Sequence, residues 1–223
     1  MHQTFRRAGR NLHQPLFLFT ALLFSLAITS TSCRAQTKER ASTAIVGGGC
    51  DGCDIIYAGM PQQLNWETSI AEPSEPGERM QISGVIYQAD RRTPAANVIL
   101  YVYHTDARGL YSPTADMSGP ARRHGHLRGW MKTNERGEYR FTSIRPAPYP
   151  NAHIPAHVHP IVKESARNEY YIDEFLFADD PELAHANIEN RGGSGIIQLS
   201  KNREGVWVGK RDIILGLNIP NYK

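Results

Sequence analysis

Residues 98–104 read VILYVYH. In an extended strand, alternate side chains point to opposite faces, so Val98, Leu100 and Val102 share one face while isoleucine and tyrosine side chains occupy the other. Because both faces are largely apolar, the segment is typical of a strand that is covered on both sides rather than of an exposed edge. It therefore predicts a strand inside a β-sandwich.

Similar short segments recur from Met80 to the C-terminus, separated by turn residues. They are rich in β-branched and aromatic side chains, which favour a mostly β fold with long loops. One short helix is expected over 181–189, because Asp180 can cap it and Pro181 suits its first position. The predicted strands are 80–88, 97–104, 127–133, 138–144, 157–163, 170–177, 195–199, 206–208 and 211–215.

The composition is that of an ordinary globular protein, with 40% hydrophobic and 21% charged residues, which excludes a fibrous or wholly disordered chain. The formal net charge is +3, but residues 1–35 contain four arginines and no acidic residue. Without that segment, 21 basic residues face 22 acidic ones, a net charge of −1. A nearly neutral domain lacks the positive surface that attracts phosphate backbones, so no nucleic-acid partner is expected.

The first 35 residues have the pattern of a signal peptide. Residues 1–14 are polar and basic, and the apolar run over 16–28 is 13 residues long. As a helix this run would measure roughly 20 Å, too short for a hydrocarbon core of about 30 Å, so we expect no transmembrane span in the mature chain. Cleavage after Ala35 would release the protein into a periplasm or the medium. Cleavage before Cys33 and lipidation of that cysteine would anchor it, and both routes predict export.

Residues 36–79 are interpreted as an N-terminal linker, because they begin with small polar residues and end, over 71–79, in a segment rich in proline and acid. Cys50 and Cys53 form a CDGC motif within it. In an oxidising compartment a local disulfide is the simplest interpretation, and free thiols are the alternative. The folded domain is then expected over 80–223.

The segment with the most informative chemistry is 149–159, YPNAHIPAHVH. On a strand, His157 and His159 would share one face, an arrangement that often holds a metal ion. The chain has nine histidines, and a second His-x-His pair at His124 and His126 shows that such pairs also arise by chance. We interpret that second pair as loop histidines near the mouth of the site.

Two tyrosines accompany the histidine strand. Tyr149 lies in a Pro-Ala-Pro-Tyr-Pro turn that leads directly into the strand, and Tyr111 follows the segment 98–104 after a short loop. A lone tyrosine in a β protein is more often a packing residue. Two phenolates together with two imidazoles, however, form a hard anionic donor set that suits Fe(III) better than Zn(II) or Cu(I).

Taken in order, these segments resemble the intradiol ring-cleavage dioxygenases, the group of protocatechuate 3,4-dioxygenase and catechol 1,2-dioxygenase. The resemblance covers roughly residues 80–180. The C-terminal run GKRDIILG and the leading CDGC motif are similar to a secreted bacterial branch of the group. The segments that carry the resemblance are LYVYHTDARGLY at 100–111, LRGW at 127–130, GEYRF at 137–141, IRPAPYP at 144–150 and PAHVH at 155–159.

The resemblance implies a β-sandwich that binds one non-haem Fe(III) per chain. By position, Tyr111 and His157 match the equatorial ligands, and Tyr149 and His159 the axial ones. It also implies a catechol and O2 as substrates, cleavage between the two hydroxylated carbons and a muconate-type diacid as product, with Tyr149 as the ligand that leaves the metal and takes a substrate proton. One alternative is a non-catalytic sandwich that binds iron or an aromatic ligand. Another is a zinc or copper enzyme that uses both histidine pairs.

The chain departs from the family pattern at two positions. Ile154 occupies the place of an arginine that stabilises negative charge on the substrate, and Glu174 occupies the place of a glutamine. Loss of one such donor could lower turnover on the order of 10²–10³-fold unless another group replaces it. Arg145 is the first candidate for a catalytic replacement because it lies just before the proline-rich turn, ahead of Arg128 and His153.

Overall fold

The computed structural model describes residues 45–223. The predicted signal peptide and Cys33 lie outside these residues. Two six-stranded sheets form the fold, and three short 3-10 helices, with no α-helix, accompany them within 45–223. The strands are β1 (Glu67–Ser69), β2 (Arg79–Tyr87), β3 (Ile99–His104), β4 (Arg128–Lys132), β5 (Glu138–Ile144), β6 (His157–Lys163), β7 (Tyr170–Tyr171), β8 (Phe175–Phe177), β9 (Ile196–Ile197), β10 (Ser200–Lys201), β11 (Trp207–Lys210) and β12 (Ile213–Ile214).

The first sheet has the order β1-β5-β2-β11-β10, with β12 also paired to β2. The second has the order β4-β3-β6-β8-β9, with β7 also paired to β6. The long central pairs β2–β5, β3–β4 and β3–β6 are antiparallel, whereas β1–β5, β2–β11 and β8–β9 are parallel. The prediction of a mostly β sandwich is confirmed.

The inner faces of the two sheets form the main hydrophobic core. Leu100 and Val102 of β3 belong to the same buried cluster as Ile82 of β2 and Phe141 of β5. All four side chains are fully buried, and burial of each stabilises the fold by roughly 1.5 to 3 kcal/mol. The alternating pattern of β3 therefore directs one of its faces into the space between the sheets.

The opposite face of β3 is also buried. Tyr101 and Tyr103 pack there with Cys53 and Ile56, which belong to a 3-10 helix over Cys53–Tyr57. The prediction that this strand is covered on both sides is confirmed. The covering segment comes from the N-terminal part of the chain.

The prediction of a linker over 36–79 is therefore corrected. The helix Cys53–Tyr57 packs on the second sheet, β1 pairs with β5 in the first, and a disulfide joins Cys50 and Cys53. The segment is mostly polar, but two of its apolar side chains, Cys53 and Ile56, cover the outer tyrosine face. A composition average does not detect so small a number of anchoring residues.

The prediction of a helix over 181–189 is also corrected, because only Leu183–His185 form a 3-10 turn. Asp180 accepts a hydrogen bond from the Glu182 backbone N–H with one carboxylate oxygen and from the Ala156 N–H with the other. The turn buries none of its residues, so no packing supports further helical turns. Within residues 45–223, no helix has the length and apolar character needed to cross a membrane.

Candidate metal centre

The histidine strand places two imidazoles side by side on the outer face of the second sheet. Val158, between them, is fully buried in the core, while His157 and His159 point the other way, as predicted. The two Nε2 atoms lie 3.0 Å apart. The strand therefore aims both rings at one point.

The partners of the two Nδ1 atoms show which ring nitrogens carry protons, and so whether the two Nε2 atoms are free to bind a cation. Nδ1 of His157 lies 2.8 Å from the carbonyl oxygen of Pro155. Because a carbonyl oxygen can only accept a hydrogen bond, this Nδ1 is the protonated ring nitrogen and donates the hydrogen bond. Nδ1 of His159 faces the carboxylate of Glu174 at 3.6 Å. Both Nε2 lone pairs then point at the same place, an arrangement that a shared cation stabilises.

Two phenol oxygens complete the cluster. The Tyr149 oxygen lies 3.2 Å from Nε2 of His157 and 3.2 Å from Nε2 of His159. The Tyr111 oxygen lies 2.5 Å from that of Tyr149. All four side chains singled out in the sequence are thus brought together in space.

The two tyrosines meet because their loops touch at a glycine. Asp106 lies two residues after the end of β3 and accepts hydrogen bonds from the backbone N–H groups of Arg108 and Leu110, which closes a tight turn before Tyr111. Gly109 in this turn has a φ of 79°, and a Cβ there would lie 2.1 Å from the carbonyl oxygen of Pro148 in the other loop. Only glycine permits this close approach.

The donor atoms have the spacing of the ligands of one metal ion. With bonds of about 2.0 to 2.1 Å, neighbouring ligand atoms stand roughly 3 Å apart, and the contacts within the cluster are 2.5 to 3.2 Å. Within residues 45–223, His, Cys, Asp and Glu side chains alone form no metal-binding group of three or more. In this cluster the donors beside the two imidazoles are the phenol oxygens of Tyr111 and Tyr149, and phenolates favour a hard trivalent ion.

Burial sets the protonation of the cluster. It raises the pKa of Tyr111 and of Tyr149, and it lowers the pKa of His157. Burial also acts to raise the pKa of Glu174, but His159, the backbone of Glu174 and His157 together outweigh it, and the net pKa is lowered. Without a cation the phenols keep their protons, so uptake of a metal by this set would release protons.

A cavity of about 330 Å³ opens beside the cluster. Tyr149 contributes to its wall, whereas Tyr111 does not. Apolar side chains, among them Ile154 in the place of the family arginine, supply much of the remaining surface. The lining residues are Tyr149, Ile154, Pro155, His157, His159, Glu174, Leu176, His185, Ala186 and Asn187.

The structure corrects the catalytic role predicted for Arg145. Its guanidinium binds both carboxylate oxygens of Asp179, at 2.9 and 2.7 Å, and packs on the rings of Phe177 and Trp207. It does not line the cavity. Arg145 directly follows β5 of the first sheet, so its nearness to Tyr149 along the chain does not bring its charge to the site.

The other two candidates to replace the family arginine, Arg128 and His153, also lie away from the cavity. Arg128 lies over the ring of Trp130, and the side chain of His153 is 87% exposed and faces Glu182. Neither lines the cavity. No arginine or lysine of the described residues does so.

His124 is not the loop histidine that the sequence predicts. It is buried, its Nδ1 lies 3.0 Å from the Tyr101 hydroxyl, and its ring stacks on Tyr103 with centroids 3.6 Å apart. The Tyr103 ring also stacks on His159, at 4.7 Å. His126, by contrast, binds the carboxylate of Glu75 at 2.9 Å.

Tyr103 is therefore a site residue that sequence reasoning missed. The signal was present, because Tyr103 lies on the outer face of β3 and pairs in register with His159 of β6. Stacking of Tyr103 on the imidazole restricts the rotation of that ring. The aromatic face of β3 thus positions the histidine face of β6.

Comparison with known proteins agrees with this architecture. A family model described as dioxygenase matches residues 56–209. An intradiol ring-cleavage dioxygenase of Aspergillus niger is 26% identical over 83 residues, which are 37% of this chain and 25% of that protein, so the chain matches only a quarter of the length of this relative.

Solved structures share the fold. Catechol 1,2-dioxygenase from Pseudomonas arvilla C-1 superposes with a TM-score of 0.55 at 22% identity, over 70% of this chain and 58% of that one. The dioxygenase domain of a carbohydrate-binding fusion protein from Streptomyces sp. SirexAA-E superposes with a TM-score of 0.52 at 20% identity, over 70% of this chain and 91% of that one. With the family match over more than half of its length, the chain belongs to the intradiol ring-cleavage dioxygenase family.

Proposed function

We propose that this protein is a non-haem Fe(III) dioxygenase that cleaves a catechol with O2 between its two hydroxylated carbons, giving a muconate-type diacid. The observation that carries the proposal is the convergence of two phenol oxygens and two imidazole nitrogens within 2.5 to 3.2 Å of their neighbours. Tyr111, Tyr149, His157 and His159 would hold the metal.

Bound Fe(III) would supply a Lewis acid that favours catecholate binding and makes the electron-rich ring reactive towards O2. The protein residues bind and orient the substrate. Tyr149 lines the cavity and Tyr111 does not, so the Tyr149 oxygen is the phenolate placed to take a proton from an incoming catechol hydroxyl. Tyr111 would remain a fixed anionic ligand.

The cavity walls suit a flat aromatic ring. Ile154, Pro155 and Leu176 present apolar surface beside the two histidines, which favours a ring and excludes water from it. Tyr103, which does not line the cavity, stacks on the imidazole of His159 and holds its orientation. The apolar walls and the aromatic brace together position a catechol over the histidine pair.

A second candidate function is binding of iron or an aromatic ligand without turnover. It is favoured by the lack of any arginine or lysine, among the described residues, on the wall of the cavity. Such a protein would keep the metal and the catechol site but would turn over slowly, because developing negative charge has no cationic partner.

The test is the colour and oxygen consumption of the purified chain loaded with Fe(III). Tyrosinate-to-iron charge transfer would give a red-brown protein, and a catechol panel would then cause O2 uptake. Tyr111→Phe and Tyr149→Phe should each reduce the band, while Tyr87→Phe, which removes a phenol from β2 of the other sheet, should not. A coloured protein without O2 uptake would support the second candidate, and a colourless protein with a full complement of zinc would contradict both.

We also propose that the protein is exported, on the basis of the signal-peptide pattern over 1–35. Mass spectrometry of the mature N-terminus in the native host tests this. A chain that begins at Gln36 supports release, and an acylated Cys33 supports anchoring. A chain that retains residues 1–35 would contradict export.

A further inference from the structure

Two cavities share a wall at the site. The larger, beside the tyrosine and histidine cluster, is bordered by Glu174 and Asn187. The same two residues border a second cavity of about 200 Å³, which also contacts Tyr171, Glu189 and Arg191. A ring substituent directed from the histidines towards the second cavity would therefore pass Glu174 and Asn187.

The charge on this shared wall is negative. Among residues 45–223, Glu174 is the one carboxylate on the larger cavity, and its side chain is 38% exposed. The nearest ring nitrogen is Nδ1 of His159, which is 3.6 Å away, beyond hydrogen-bond distance. Nδ1 of His185, on the same cavity, is engaged by Glu182 at 2.8 Å. Glu174 therefore keeps hydrogen-bonding capacity towards the cavity.

The cation on the smaller cavity does not offset this charge. Arg191 is paired with Glu189 at 2.6 Å. Asp173 accepts hydrogen bonds from the backbone N–H groups of residues 189, 190 and 191, so both of its carboxylate oxygens are already hydrogen-bonded to that loop. Among charged side chains that border the two cavities, Glu174 thus stands out as an anion without a close cationic partner.

We propose that the site selects catechols that carry a cationic ammonium group on a short side chain, and that Glu174 is the residue that determines this specificity. The inference rests on the proposed function and names its substrate class. An ammonium group at the shared wall would pair with the Glu174 carboxylate in a partly desolvated setting, whereas a carboxylate at the same place would be repelled. An uncharged catechol would bind with intermediate affinity.

The experiment is an anaerobic titration of the Fe(III)-loaded full chain with three catechols that differ at one group. They are 4-(2-aminoethyl)catechol, 4-ethylcatechol and 3-(3,4-dihydroxyphenyl)propanoate. Binding is read from the shift of the visible charge-transfer band, without turnover. We expect the cationic catechol to bind about tenfold more tightly than the neutral one, and the anionic catechol about tenfold more weakly.

Variants assign the preference to Glu174. In Glu174→Gln the three affinities should converge to within about threefold, while Glu135→Gln, which removes the same charge from an exposed site before β5, should behave like the unmodified chain. Asn187→Asp adds a carboxylate to the shared wall without altering a proposed ligand and should enlarge the preference.

Two outcomes would overturn the inference: equal affinities for the three catechols, or a preference that survives in Glu174→Gln. Catechol binding without charge selection would overturn this inference alone. An iron-loaded, coloured protein whose band responds to no catechol would overturn the proposed function as well.

Discussion

Gly109→Ala should disrupt the contact that brings the two tyrosines together. At φ 79°, an alanine costs about 1 to 2 kcal/mol of backbone strain. Its Cβ would also lie 2.1 Å from the carbonyl oxygen of Pro148 and 3.0 Å from Cδ of Pro150. Since an unstrained carbon–oxygen contact is above roughly 3 Å, the two loops have to separate by about 1 Å.

That separation is large compared with the geometry of the cluster. The Tyr111 and Tyr149 oxygens are 2.5 Å apart, so a displacement of about 1 Å takes one of them out of bonding distance of a shared metal. Weakening one ligand in this way should reduce iron affinity at least about 10- to 100-fold. The assay is iron retained per chain after dialysis against a graded chelator, read together with the visible band.

Gly205→Ala is the matched control. Its φ is 76°, close to that of Gly109, but nothing lies within 4 Å of an added Cβ. It therefore carries the backbone strain without the clash and should lower stability while keeping iron. If Gly109→Ala retained iron and colour like Gly205→Ala, the argument that this close approach assembles the site would be refuted.

Three further predictions concern stability and positioning. Arg145→Ala should leave the visible band and O2 uptake unchanged and lower Tm by a few degrees, because its ion pair and aromatic packing are structural; a large loss of turnover at unchanged Tm would contradict this. Burial lowers the pKa of His104 to about 4 from 6.5, so as pH falls the unfolded chain binds a proton at this histidine before the folded chain does. The stability that the neutral, buried His104 contributes is therefore complete above pH 6.5 and is lost as pH falls towards 4. The loss is about 3 kcal/mol, and urea midpoints measured against pH should fall less steeply for His104→Gln; parallel curves would contradict the assignment. Tyr103→Leu should broaden the charge-transfer band by removing the ring that stacks on His159, an outcome that Tyr103→Phe should not reproduce.

Local pattern was sufficient for most of the sandwich. Alternation over 98–104 predicted a strand with two covered faces, and the placement of Val158 between His157 and His159 predicted which side chains face outward. These features depend on a period of two residues and need no knowledge of distant segments. The corresponding strands β3 and β6 form with boundaries within two residues of those expected.

Features that depend on distant contacts were not predictable in the same way. β1 is only three residues long, and it is a strand because it pairs with β5. Ile56 is buried because it packs against the outer-face rings of Tyr101 and Tyr103. Arg145 lies four residues before Tyr149 in sequence, yet its charge is bound by Asp179. Closeness along the chain does not show which sheet a side chain lies on. The candidate metal ligands could therefore be predicted from motifs, whereas the positions of the charged side chains around them could not.

The most direct test of the central claim is the anomalous diffraction of a crystal of the iron-loaded protein, recorded at the iron absorption edge. The proposal predicts a single peak within about 2.3 Å of the Tyr111 and Tyr149 oxygens and of Nε2 of His157 and His159. A peak bound by the histidines alone, with either phenol hydrogen-bonded elsewhere, would contradict it.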